Sequence, residues 1–187
     1  MIRLTAVIRT FAALICLGAA FALLARSGLP SRTELKTRAG TSAPGGALSI
    51  GAPAPPFQLL NLSGDNVALD SAPGMATIIN FWATWCAPCR QEMRDLQELQ
   101  AGRPDSIRVL AINMGEPAES VAEWQAALGL SYDLLLDETL ALSKQYLVRG
   151  LPMTYLLDSS QHIHQVYYGP VTRRQLDSDI QRLSERV

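Results

Sequence analysis

The stretch Phe81-Trp82-Ala83-Thr84-Trp85-Cys86-Ala87-Pro88-Cys89 decides the fold. An apolar, β-branched run, Thr77-Ile78-Ile79, leads into it, and an amphipathic helical pattern leaves it. The two cysteines therefore belong where a strand ends and a helix begins. A Cys-x-x-Cys pair at such a junction suits thiol–disulfide exchange. At a helix start the free backbone N–H groups and the positive end of the macrodipole favour a thiolate. Cys86 is thus expected to ionise below the roughly 8.5 of a free cysteine and to be the attacking sulfur. Cys89, one turn further in, is the expected resolving sulfur. Pro88 fits the first helical turn, where a missing N–H costs no intrahelical bond.

Two plainer chemistries compete for the pair. A zinc site needs four ligands, and the chain has no second Cys-x-x-Cys. The 2 histidines, His162 and His164, are spaced i, i+2, like residues on one face of a strand. A purely structural disulfide would close so short a loop that it restricts the unfolded chain very little. Redox chemistry with no metal and no organic cofactor is the expectation, the redox group being the Cys86–Cys89 disulfide itself.

Three segments in this order resemble the thioredoxin superfamily, and within it the membrane-anchored TlpA/ResA thiol–disulfide oxidoreductases. They are Asn80 through Met93, Asn113-Met114-Gly115-Glu116, and Gly150-Leu151-Pro152-Met153-Thr154-Tyr155-Leu156-Leu157-Asp158. The resemblance runs from Ile50 to the C-terminus. It implies an α/β thioredoxin-like sandwich, a mixed central sheet with helices on both faces, carrying an N-terminal β-hairpin. It implies a functional glutamate three residues after the second cysteine, here Glu92, and a cis-proline beside the cysteines, here Pro152. A proline lacks an N–H, which leaves the backbone of its predecessor, Leu151, free to pair with a substrate strand. Trp85, Leu151, Pro152 and Glu116 are the expected substrate-side residues. Glu116 reads equally well as an acid at a helix start. One position departs from ordinary thioredoxin: six residues before the first cysteine stands Asn80 rather than an aspartate. The proton-handling carboxylate must then come from elsewhere or be missing.

Periodicity gives Glu92 an independent reading. In a helix over residues 86–100, Met93, Leu96 and Leu99 form the core stripe, and Glu92 falls on the same face. A carboxylate there needs hydrogen bonds, and burial would raise its pKa toward neutrality. An acid/base role toward Cys89 is expected; the alternative is a half-exposed acid favoured by the helix N-terminus.

The whole chain bounds the rest. Its 187 residues leave one domain once an N-terminal segment and linker are set aside. A net charge of −1 argues against nucleic acid, and no phosphate-cradling loop is present. Residues 1–25 read as a signal peptide or signal-anchor: Thr10 to Ala25 is apolar and uncharged, with Arg3 and Arg9 before it. That run spans about 24 Å as a helix, and adding Leu4 to Ile8 brings it to membrane thickness. Cleavage after Ala20-Phe21-Ala22 and retention as an anchor both stay open. The third cysteine, Cys16, lies inside this run as an apolar residue. Arg26, Arg32, Lys36 and Arg38 follow the segment, against the usual bias for an exported C-terminus. Residues 26–49 read as a flexible tether with a reach of roughly 27 Å, and 50–187 as the thioredoxin-like domain.

The expected element order is ββ–β–α–β–α–β–α–β–β–α. The expected function is extracytoplasmic, membrane-tethered thiol–disulfide exchange, as a reductase. The resemblance implies apocytochrome c among the clients and a membrane thiol donor of the DsbD/CcdA kind. Two rivals stand beside it. A thiol peroxidase wants Pro-x-x-x-Thr-x-x-Cys, but Thr84 lies two residues before Cys86, not three. The other is a non-enzymatic docking module whose disulfide holds a fold.

Overall fold

The computed structural model describes residues 48–71 and 74–185. The expected membrane segment at 1–25, and all of the tether but its last two residues, lie outside them. Among the described residues no helix is long and apolar enough to cross a membrane.

Two short strands, β1 (Gln58–Leu60) and β2 (Asn66–Ala68), form the expected hairpin and run into a 3₁₀ turn at Leu69–Ser71. The order then runs β3 (Ala76–Trp82), α1 (Cys89–Ala101), β4 (Ile107–Met114), α2 (Ala118–Leu128) and β5 (Asp133–Asp137). It ends with α3 (Ala141–Gln145), β6 (Met153–Leu157), β7 (Ile163–Tyr168) and α4 (Arg173–Ser184). This is the element order read from the sequence. The main sheet has five strands in the order β5-β4-β3-β6-β7. β3 is parallel to β4 and antiparallel to β6, so the sheet is mixed and β3 is its centre. Its near-continuous apolar run follows from that place, because both faces are covered.

Alternation along β3 divides the core. Ile78 and Trp82 point to a layer completed by Met93, Leu96 and Leu99 of α1, Val121 of α2 and Leu176 of α4. Ile79 and Phe81 point to the other layer, with Val67 of the hairpin, Leu142 of α3 and Tyr146. Among the described residues helices thus lie on both faces, but unequally: three on the disulfide side, one short helix plus the hairpin on the other. Both sheet edges are partly covered. The N-terminal segment pairs with the start of β7 through Pro53 and His162, and Asn61 of the hairpin reaches Leu135 of β5. Such cover keeps an edge strand from pairing with other chains.

Local signals mark two of the helix ends. Gly129 stops α2 with φ 63°, a left-handed conformation that suits glycine. Thr172 and Gln175 form a reciprocal capping box at the start of α4. One boundary differs. Helix α1 begins at Cys89, three residues later than expected, with Pro88 at its N-cap. The preceding residues close i→i+3 turns instead, Cys86 N–H to Ala83 C=O, Cys89 N–H to Cys86 C=O and Arg90 N–H to Ala87 C=O. A tight first turn of this kind is common at helix ends.

Candidate active site

Cys86 and Cys89 form a disulfide across the turn that opens α1, with their Cα atoms 5.4 Å apart. The turn withdraws both sulfurs from water, but unequally. Cys86 keeps 4% of its surface exposed and Cys89 none. Trp85, immediately before them, is 72% exposed, unusual for so large an apolar side chain.

Beneath the pair lies Glu92, one turn along α1 and only 2% exposed. Its Oε1 accepts hydrogen bonds from Asn80 Nδ2 at 2.9 Å and Thr154 Oγ1 at 2.6 Å. Its Oε2 accepts from the Val171 backbone N–H at 3.3 Å. Burial pushes the carboxyl up from 4.5 to about 7, although the bonds from Thr154, Val171 and Asn80 favour the ionised form. Asp95 on the same helix adds to the rise. A group poised near neutrality is suited to taking and returning protons under ordinary conditions. The half-exposed helix-start acid is not what the fold makes of Glu92.

Asn80 takes on a meaning its sequence did not carry. It lies opposite Thr154 in the register of β3 and β6, fully buried. Its amide donates to Glu92 and to Thr154 Oγ1, the latter at 2.8 Å. Helix α1 thus brings a carboxylate against strand β3, and the strand supplies one of its donors.

Pro152 closes the site from the neighbouring strand. The Leu151–Pro152 peptide is cis. One residue beyond the Phe81–Met153 pair, Pro152 comes alongside Trp82, at the end of the sheet where β3 runs into the cysteines. Its carbonyl accepts from Gly169 N–H at 2.9 Å. Leu151 is half-buried, packing against both core layers, and its backbone enters none of the hydrogen bonds among the described residues outside helices and strands. The sequence expected a free backbone there.

Glu116 turns inward. Gly115, at φ 75°, swings the chain out of β4. The Glu116 carboxylate then accepts from Thr84 N–H at 2.7 Å, Thr84 Oγ1 at 2.5 Å and Asn113 Nδ2 at 2.7 Å. Neither reading of Glu116 from the sequence foresaw this clasp across 32 residues on the loop that carries Trp85 and Cys86. Thr84, the residue weighed for a peroxidase, gives both its donors to it. Glu116→Ala should therefore cost about 1–3 kcal/mol, the range for stranding part-buried donors. Glu116→Gln, which keeps an acceptor, should cost less. Urea unfolding of the oxidised protein measures both; equal midpoints for wild type and Glu116→Ala would make the clasp idle.

A cation–aromatic stack flanks the pair. Arg90 lies 4.6 Å over the Trp124 ring, and Trp124 stacks on Trp82 at 6.1 Å. The stack joins three separate elements, β3, α1 and α2, so no local pattern in the sequence announces it. Among the described residues no group of three or more His, Cys, Asp or Glu could hold a metal ion.

Comparison with known proteins agrees with this geometry. The model of the AhpC/TSA family matches residues 50–166. ResA, a thiol-disulfide oxidoreductase of Geobacillus kaustophilus, is 31% identical over 138 residues, 73% of this chain and 79% of that protein. The thioredoxin-like protein YneN of Bacillus subtilis is 34% identical over 133 residues, covering 70% of this chain and 78% of its own. Among solved structures, StoA of Bacillus subtilis superposes with a TM-score of 0.59 at 27% identity, over 70% of this chain and 98% of that one. A thioredoxin-family thiol:disulfide interchange protein of Chlorobium tepidum gives 0.61 at 26% identity, over 72% and 97%. The chain belongs to the AhpC/TSA family, in its thioredoxin-like part, and is a thiol–disulfide oxidoreductase working through the Cys86–Cys89 pair.

Proposed function

We propose that this oxidoreductase is a reductase of protein disulfides, held on the outer side of a membrane by its N-terminal segment. The Cys86 thiolate attacks a client disulfide, forming a mixed disulfide and releasing one client thiolate. Cys89 gives its proton to Glu92 and attacks Cys86 Sγ, which closes the Cys86–Cys89 disulfide and releases the second client thiolate. Two electrons pass from the dithiol to the client, and a membrane thiol donor of the DsbD/CcdA kind restores them. Apocytochrome c, whose cysteines must be reduced before haem attachment, is the proposed client. The client backbone pairs with the free backbone of Leu151 before Pro152, and Trp85 offers an exposed apolar face beside the nucleophile. No metal or organic cofactor takes part.

The observation that carries this reading is the buried carboxyl of Glu92, poised near neutral pH one turn below the more deeply buried cysteine. Direction rests on the dipeptide between the cysteines. Ala87-Pro88 keeps the proline of thioredoxin, a reductant near roughly −270 mV, and lacks the histidine of the oxidant DsbA near roughly −120 mV. A pair without that thiolate-stabilising group favours its disulfide form and so donates electrons. The potential should fall below the roughly −180 mV of protein disulfide isomerase. Redox titration against glutathione or dithiothreitol measures it, and a value near that of DsbA would make the protein an oxidant.

A further inference from the structure

The sheet face under the disulfide is lined by apolar side chains, and at one point three polar ones meet there: Asn80, Glu92 and Thr154. Their bonds share the work unequally between the two oxygens of Glu92. Asn80 spends one amide hydrogen on Glu92 Oε1 and the other on Thr154 Oγ1. The Thr154 hydroxyl, its lone pair so occupied, turns its own hydrogen to the same Oε1. Oε2 receives only the longer bond from Val171 N–H. A proton placed on Oε1 would displace two short bonds, whereas one placed on Oε2 disturbs a single long one. Asn80 Oδ1 is left buried without a partner. That is the orientation the amide takes when its two hydrogens are needed by two acceptors, the Glu92 carboxylate and the Thr154 hydroxyl oxygen.

We propose that Asn80 and Thr154 are positioning residues that hold Oε1 as a permanent acceptor and make Oε2 the atom that exchanges the proton with Cys89. The proposal rests on the acid–base role given to Glu92 above. On oxidation of the pair, the Cys89 thiol loses its proton to Oε2 and the thiolate attacks Cys86 Sγ, displacing the client thiolate bonded there. On reduction, a donor thiolate attacks Cys86 Sγ, Cys89 leaves as a thiolate, and the proton on Oε2 returns to it. The donor's second thiolate then attacks the donor sulfur bonded to Cys86 and displaces the Cys86 thiolate, so that two electrons pass from the donor dithiol, which becomes a disulfide, to the pair.

The groups around Glu92 fit this division. Asp95 on α1 and burial oppose ionisation, and the three hydrogen bonds favour it. Tyr132, from the segment before β5, donates its hydroxyl to the Met93 carbonyl at 3.2 Å and is kept neutral by burial and by the charge of Glu92. The strands contribute the uncharged Asn80 and Thr154, and the segment before α4 only the Val171 N–H.

The test uses the full-length chain in detergent, isotopically labelled. In the oxidised protein, where the cysteines do not titrate, NMR follows the Glu92 carboxyl, the Val171 N–H and the Asn80 side-chain amide against pH. The Val171 N–H should move further than the Asn80 amide as Glu92 ionises. Thr154→Val, which keeps the side-chain shape but removes the donor, should raise the Glu92 midpoint by about one pH unit or more. Thr154→Ser should restore it. The pH–rate profile of exchange should shift with the midpoint in each variant. An unmoved midpoint in Thr154→Val, or an Asn80 amide that moves further than Val171, overturns the assignment of the oxygens. A midpoint that moves while the rate profile stays still overturns the acid–base role of Glu92 and leaves the cradle standing.

Discussion

Cys89→Ser will stop turnover yet leave the first attack intact, so mixed disulfides with clients will accumulate through Cys86. The two sulfurs differ in access: Cys86 keeps a small exposed surface, and Cys89 has none. An incoming disulfide can therefore reach only Cys86. Once Cys86 is bonded to a client, the one sulfur placed to release it is Cys89, already joined to it in the oxidised pair. A serine hydroxyl cannot displace a thiolate under these conditions, because its oxygen stays protonated far above neutral pH. Nonreducing gels of the variant should show client adducts that dithiothreitol dissolves, and insulin reduction should fall to background. Cys86→Ser should give neither adducts nor turnover. Adducts on Cys86→Ser instead would reverse the two roles.

What could be read from the sequence was what lies within one or two turns of the chain. The Cys-x-x-Cys pair announces itself by spacing, and Glu92 by its place on the Met93, Leu96 and Leu99 stripe. Both sit where expected because a helix converts sequence distance directly into a face. The order of elements along the chain followed from apolar runs and turn residues, and Gly129 and Thr172 mark helix ends by residue type alone. The partners of these groups were hidden by separation along the chain. Thr154 lies 62 residues from Glu92, Val171 lies 79 away, and Glu116 lies 32 from Thr84. Each contact is created by strand order or by a loop returning over the sheet, and no local pattern encodes either. Asn80 illustrates the cost. Alone, it reads as the loss of a carboxylate; beside Thr154 in the register it is a donor to one.

Glu92→Gln should make the enzyme slower and, at alkaline pH, more stable. Glu92 titrates at about 7 in the fold, against 4.5 without it, so its folded pKa is raised. Between these values the unfolded chain has lost the proton and the native state retains it. Stability therefore falls as pH rises, by about 1.4 kcal/mol per unit. The stabilising contribution is complete below about pH 4.5 and is gone once pH has passed through about 7, a total near 3 kcal/mol. Glutamine does not titrate and still accepts from Asn80 and Thr154 through its carbonyl oxygen. Its amide nitrogen cannot accept from Val171 N–H, which returns part of the gain. The net advantage of the variant at pH 9 should be roughly 1–3 kcal/mol, and near pH 4, where only the lost Val171 bond remains, the variant should be slightly the less stable of the two. Denaturant unfolding of the oxidised proteins at the two pH values isolates the effect, since the difference between them removes every other titrating group. Exchange near pH 7 should meanwhile slow roughly 10–100-fold, at or below the low end of what a positioned acid–base group contributes. A buried acid kept for proton transfer must cost the fold stability at the pH where it works. If Glu92→Gln gains no stability at pH 9, the carboxyl is not held near neutrality. If it gains stability but exchanges thiols as fast as wild type, the cost serves no chemistry at this pair.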